Sequence, residues 1–334
     1  MFIKPLIGAL LLAMCATILT AAQQGAKFFT VPGYMDATIK QVLQTDAAEA
    51  GYVLSDPHER INDVYMEKYG VSVREGKPND AYDPDFKITL ENLGFFSLSN
   101  DEALRELLLK APQLGGFSPF TLLVYQKKGD TEAYVGHLMP ETMLDITGVE
   151  DQTIRDAFSH SFDALDRIIG ERYGNKEVYV SYKRAAAAPM MEYRLKFDRS
   201  VALDDFVDAF QERFEAAFEE HQFIIAGYKS YSEAYADLEL PFDRYDRYWV
   251  YSLCHFVFSY NIFNKGRPDA GVFAPCSMYM YIEKGSDTLH IGMPALENWE
   301  NVMGITDPAK VQRLKDIEAE IMRIMTDELG ATRQ

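Results

Sequence analysis

Phe117 to Asp151 reads FSPFTLLVYQKKGDTEAYVGHLMPETMLDITGVED, and Phe273 to Asp307 reads FAPCSMYMYIEKGSDTLHIGMPALENWENVMGITD. The two stretches align without a gap at an offset of 156, with identity at nine of 35 positions. The shared residues include Pro119/Pro275, Tyr125/Tyr281, Lys128-Gly129/Lys284-Gly285 and Gly148/Gly304. Each copy reads as a strand, a Lys-Gly turn, a second strand, a loop and the start of a helix. An internal repeat of this kind decides the organisation before any local reading does.

Beyond these stretches the match weakens but keeps its order. Phe96-Ser-Leu-Ser99 corresponds to Tyr251-Ser-Leu-Cys254, each ending a strand and leading into a short helix. In the second copy Phe206, Phe210, Phe214 and Phe218 recur every four residues, the stripe of an amphipathic helix whose acidic face meets solvent. Its counterpart is expected over Met35 to Ala50, stopped by Gly51. Strands Tyr52–Ser55 and Phe223–Tyr228 follow these helices, and a long helix closes each copy. The reading is an α+β fold, two repeats of a β-α-β-β-α-β-β-α unit. The first is expected over 26–175 and the second over 190–330, with the strand Lys176–Lys183 between them. Residues 56–86 are an insertion in the first copy, with no structure assigned from sequence.

Composition limits what such a protein does. The 334 residues carry a formal charge of −18. That balance argues against nucleic acid, whose phosphates require clustered Lys and Arg. Residues 1–22 read as a signal peptide: Lys4, an apolar run from Leu6 to Leu19, then Thr20-Ala21-Ala22 as the cleavage site. Cleavage would remove Lys4 and bring the charge to −19. The expected location is therefore the periplasm, with no membrane span after signal removal.

A family resemblance rests on the second copy. A long amphipathic helix runs into Gln222-Phe223-Ile224-Ile225, a strand ends in Cys254, a short helix follows, and Pro275-Cys276 opens an alternating apolar strand. This order resembles the bacterial domain-of-unknown-function family 302, more weakly also over 26–170. The resemblance implies helices packed on curved antiparallel sheets, similar to the TATA-box-binding-protein fold class. It implies no activity. The first copy departs from the pattern, with Ser99 and Phe120 where the second has Cys254 and Cys276.

Three groups of residues are candidates for chemistry. Cys254 and Cys276, with His255 beside the first, form a disulfide, a pair of buried thiols or a redox site. His137, Met139 and Met143, with His290 and Met293 in the second copy, have the donor types of a soft-metal site, although the two His do not align. Tyr248, Trp249, Tyr251, Tyr279 and Tyr281 lie on neighbouring expected strands and would line an apolar groove, if the sheet face they share is open. There is no CxxC, HExxH, GxSxG or P-loop. The expectation is a non-catalytic module without a cofactor, binding a small molecule or an envelope protein. The copies would pack as an intramolecular pseudo-dimer. The alternative is a thiol-dependent redox or metal-handling protein using Cys254 and Cys276.

Overall fold

The computed structural model describes residues 22–33, 38–174 and 176–334. The expected signal peptide lies outside the described residues except for Ala22, as does the beginning of the helix expected at Met35.

The fold is α+β. The first six-stranded sheet contains β1 (Gln23–Pro32), β2 (Tyr52–His58), β5 (Leu90–Asn100), β6 (Phe120–Lys127), β7 (Glu132–Leu138) and β8 (Glu177–Tyr182). Between β2 and β5 lies a separate small hairpin, β3 (Val73–Arg74) and β4 (Lys77–Pro78). The second sheet contains β9 (Met190–Lys196), β10 (Phe223–Ser230), β11 (Tyr245–His255), β12 (Cys276–Glu283), β13 (Thr288–Pro294) and β14 (Thr332–Arg333). The strand orders are β2-β5-β6-β7-β1-β8 and β10-β11-β12-β13-β9-β14. They correspond strand for strand, and neighbours run antiparallel. The strand expected between the copies is β8, and it pairs with β1 as the edge of the first sheet. β14 occupies the same place beside β9.

Local chemistry explains the matching helix positions. Asp151 accepts hydrogen bonds from the amides of Thr153 and Ile154, and Asp307 accepts from those of Ala309 and Lys310. Each carboxylate satisfies the orphan donors at a helix N-terminus. Just before them, Gly148 and Gly304 end the preceding helices with φ of 68° and 62°, a conformation costly for a side chain bearing Cβ. In the helix Leu203–Glu220, Val207, Phe210, Phe214 and Phe218 are buried. Full burial of such side chains contributes about 1.5–3 kcal/mol each.

The two halves interlock. The 3₁₀ segment Pro112–Phe117 of the first lies against β12, and Pro268–Phe273 of the second lies against β6. Both seats fit closely around glycine, Gly115 the more tightly. A Cβ on Gly115 would stand 2.6 Å from Tyr279 Cβ, and one on Gly271 would stand 2.8 Å from both Leu123 and Phe95. Tyr248 and Tyr245 donate to the carbonyls of Pro112 and Leu108, each at 2.6 Å.

The insertion is a clasp on the second half. β2 leads into the helix Ile61–Tyr69, and the following loop brings Phe86 and Asp83 back across it. Tyr69 stacks on Tyr260 at 4.1 Å, Phe86 stacks on Tyr260 at 5.9 Å, and the Tyr260 hydroxyl donates to Asp83 at 2.9 Å. The second copy has a short helix in the corresponding place, Tyr231–Asp237. Sequence periodicity missed both helices because each is too short to show a repeated stripe.

Candidate functional site

The five aromatics do not share one face. Strand alternation sends Trp249 and Tyr251 to one side of the second sheet and Tyr248 to the other. Tyr248 is paired with Tyr281, and Tyr279 with Val250, so Tyr279 and Tyr281 join Tyr248. The helix Leu203–Glu220 covers Tyr251: Phe214 stacks on it at 4.8 Å, and its hydroxyl donates to Glu215 at 2.6 Å. The Pro112–Phe117 segment covers Tyr248 and Tyr279. Four of the five are at most 3% exposed. The expected open groove is filled by side chains of both halves.

Cys254 and Cys276 are free thiols, the second of the three arrangements open from the sequence. The register places Leu253, not Cys254, opposite Cys276. Alternation then aims the two sulfurs at opposite faces of the sheet. Burial pushes the Cys254 thiol up to about 11 and that of Cys276 up to about 12. His255 does not activate its neighbour. Its Nδ1 accepts from the Phe258 amide at 3.3 Å, capping a short helix, and burial pushes its basicity down. The residues expected to carry thiol chemistry are therefore two protonated thiols and a helix cap.

The His and Met candidates also have defined roles. His137 is fully buried, with Nδ1 2.7 Å from the Leu138 carbonyl and Nε2 2.8 Å from Asp166. Met143 is core at 1% exposure, and Met293 at 0%. His290 lies parallel to Tyr281 with ring centroids 4.7 Å apart.

Cys254 nevertheless faces an apolar cavity. The cavity has a volume of about 80 Å³ and lies between the two halves. The first half contributes His58, Ile61, Tyr65 and Phe95; the second contributes Ile224, Ala226, Cys254, Phe256, Ser259, Phe263, Ala274 and Pro275. Its polar groups are mostly spent. Tyr65 donates to Ser259 Oγ at 2.9 Å, Ser259 donates to the Phe256 carbonyl at 2.9 Å, and His58 Nε2 lies 2.7 Å from the Ala226 carbonyl. Ile224, 42% exposed, stands at its rim. Sequence reading picked out Cys254 but not its partners, because the cavity exists only where the insertion meets the second sheet.

No protein-family model matches the chain, and no curated protein matches it. A solved structure is similar in part: the crystal structure of uncharacterized conserved protein DUF302 from Bacillus stearothermophilus. It is 23% identical, with a TM-score of 0.33, over 41% of this chain and 97% of that one. No helix among the described residues is long and apolar enough to cross a membrane.

Proposed function

We propose that this chain is an exported, non-catalytic binding module. It is built from two diverged copies of a family-302-like unit and takes a small uncharged apolar molecule into the cavity between them. The observation that carries the reading is the cavity's chemistry: space lined by both halves, apolar walls, satisfied hydroxyls and a thiol held protonated. No Asp, Glu, Lys or Arg lines it to select an ion. A cavity of about 150 Å³ lined by aliphatic and aromatic groups takes up benzene or xenon. At about 80 Å³ this one suits a smaller guest. The thiol-dependent redox alternative is less well supported, because the two sulfurs face apart and neither is a ready thiolate.

The test is a thermal-shift and calorimetric screen of xenon and small apolar compounds against the purified chain and an Ala226→Leu variant. Saturable binding that the substitution abolishes supports the reading. Absence of binding across the panel, or equal binding by the filled variant, rejects it.

A further inference from the structure

The cavity has a structural twin that is already full. In the first sheet His58 pairs with Phe95, and in the second Lys229 pairs with Val250. Phe95 and Val250 are corresponding residues one place before Phe96-Ser-Leu-Ser99 and Tyr251-Ser-Leu-Cys254, so His58 corresponds to Lys229. The same correspondence matches Cys254 with Ser99 and Phe256 with Asp101. Tyr65 and Tyr235 are each the fifth residue of the helix following the strand, and each is fully buried. Each tyrosine reaches across to the other half: Tyr65 to Ser259 at 2.9 Å, and Tyr235 to the Asp101 carbonyl at 3.0 Å.

Three of the matched residues that differ between the two places carry the contrast in filling. Around the cavity they are His58, Cys254 and Phe256, and space remains between them. At the twin they are Lys229, Ser99 and Asp101, and they bond to one another. Lys229 Nζ lies 2.7 Å from both Asp101 oxygens and 2.8 Å from Ser99 Oγ, and Ser99 donates to Asp101 at 2.8 Å. The lysine and aspartate side chains are only 10% and 9% exposed. A lysine stem and its counter-ion occupy from within the volume that the other place leaves to a guest.

We infer that the chain contains two equivalent pockets between its halves, that the Lys229–Asp101 pair permanently fills one, and that the protein therefore takes one small apolar ligand per chain. This rests on the binding reading above. Residues 58, 254 and 256 then determine that the second copy's pocket is the open one.

Reciprocal grafts test this with xenon as the probe, counted by ¹²⁹Xe NMR titration or in xenon-pressurised crystals. The Ser99→Cys/Asp101→Phe/Lys229→His variant is expected to bind two xenon atoms where the wild type binds one. The reverse graft, His58→Lys/Cys254→Ser/Phe256→Asp, is expected to bind none while still unfolding cooperatively. The reverse graft decides the matter if the forward one does not fold. Wild-type uptake at one site with a reverse graft that binds as well as the wild type overturns the inference alone, as does uptake at two sites in the wild type. No uptake by the wild type overturns the binding reading, and this inference with it.

Discussion

Lys229 on β10 and Asp101 at the start of the helix after β5 form a buried ion pair that ties one half of the chain to the other. Burial pushes the Lys229 ammonium down, and Asp101 opposes it. Removing one partner leaves an uncompensated buried charge, which costs about 3–5 kcal/mol. Asp101→Leu alone should therefore be severely destabilising. Asp101→Leu combined with Lys229→Met should recover most of the loss, since apolar replacement of both members of such a pair is often neutral. A double-mutant cycle by denaturant unfolding checks both.

Gly115 and Gly271 allow the two 3₁₀ segments to seat against the opposite sheets. Gly115→Ala drives a methyl into Tyr279 and Tyr248, and Gly271→Ala drives one into Leu123 and Phe95. Each should cost about 1–3 kcal/mol, the usual cost of overpacking. Thermal unfolding would show it. A substitution that left the midpoint unchanged at either position would contradict the close contact.

Cys254 and Cys276 should be poor nucleophiles in the folded protein. With the thiols pushed up to about 11 and about 12, alkylation by iodoacetamide should be very slow at neutral pH. Its rate should rise about tenfold per pH unit as thiolate forms. Unfolding in denaturant should release both thiols at once. Rapid labelling of either in the native state at pH 7 would be the contrary result.

Asp166 gives the protein an acid-side dependence. Burial pushes its carboxyl up, but His137 at 2.8 Å and Lys27 at 3.0 Å outweigh burial and hold it below the usual range. A carboxyl lowered in the folded state stabilises fully above its unfolded value of about 3.9 and loses that contribution as pH falls through the folded value. Asp166→Asn should therefore cost about 2 kcal/mol at pH 7, the scale of hydrogen bonds to a charged group. The gap to wild type should close in strong acid. Thermal unfolding across pH measures it.

Much of the fold was legible because its signals are local. The aligned Lys-Gly turns, the helix-capping Asp151 and Asp307, and the Phe206-to-Phe218 stripe act within a few residues of themselves. The insertion was not legible, because its short helix is held by Tyr260, nearly two hundred residues away. The aromatic groove was misread for a related reason. Alternation divides Trp249 and Tyr251 from Tyr248, but which partner covers each face depends on where the other half docks.

The repeat, the α+β class and the correspondence between Ser99 and Cys254 are legible in the chain itself. The docking of the halves sets what that last difference means. It brings Lys229 to Ser99 and Asp101 in one half-interface, and His58 to the side of Cys254 and Phe256 in the other. The physical reason is that a filled pocket and an empty one are made by the same strands and helices. Whether charge or space lies between them depends on side chains that meet only when the halves interlock.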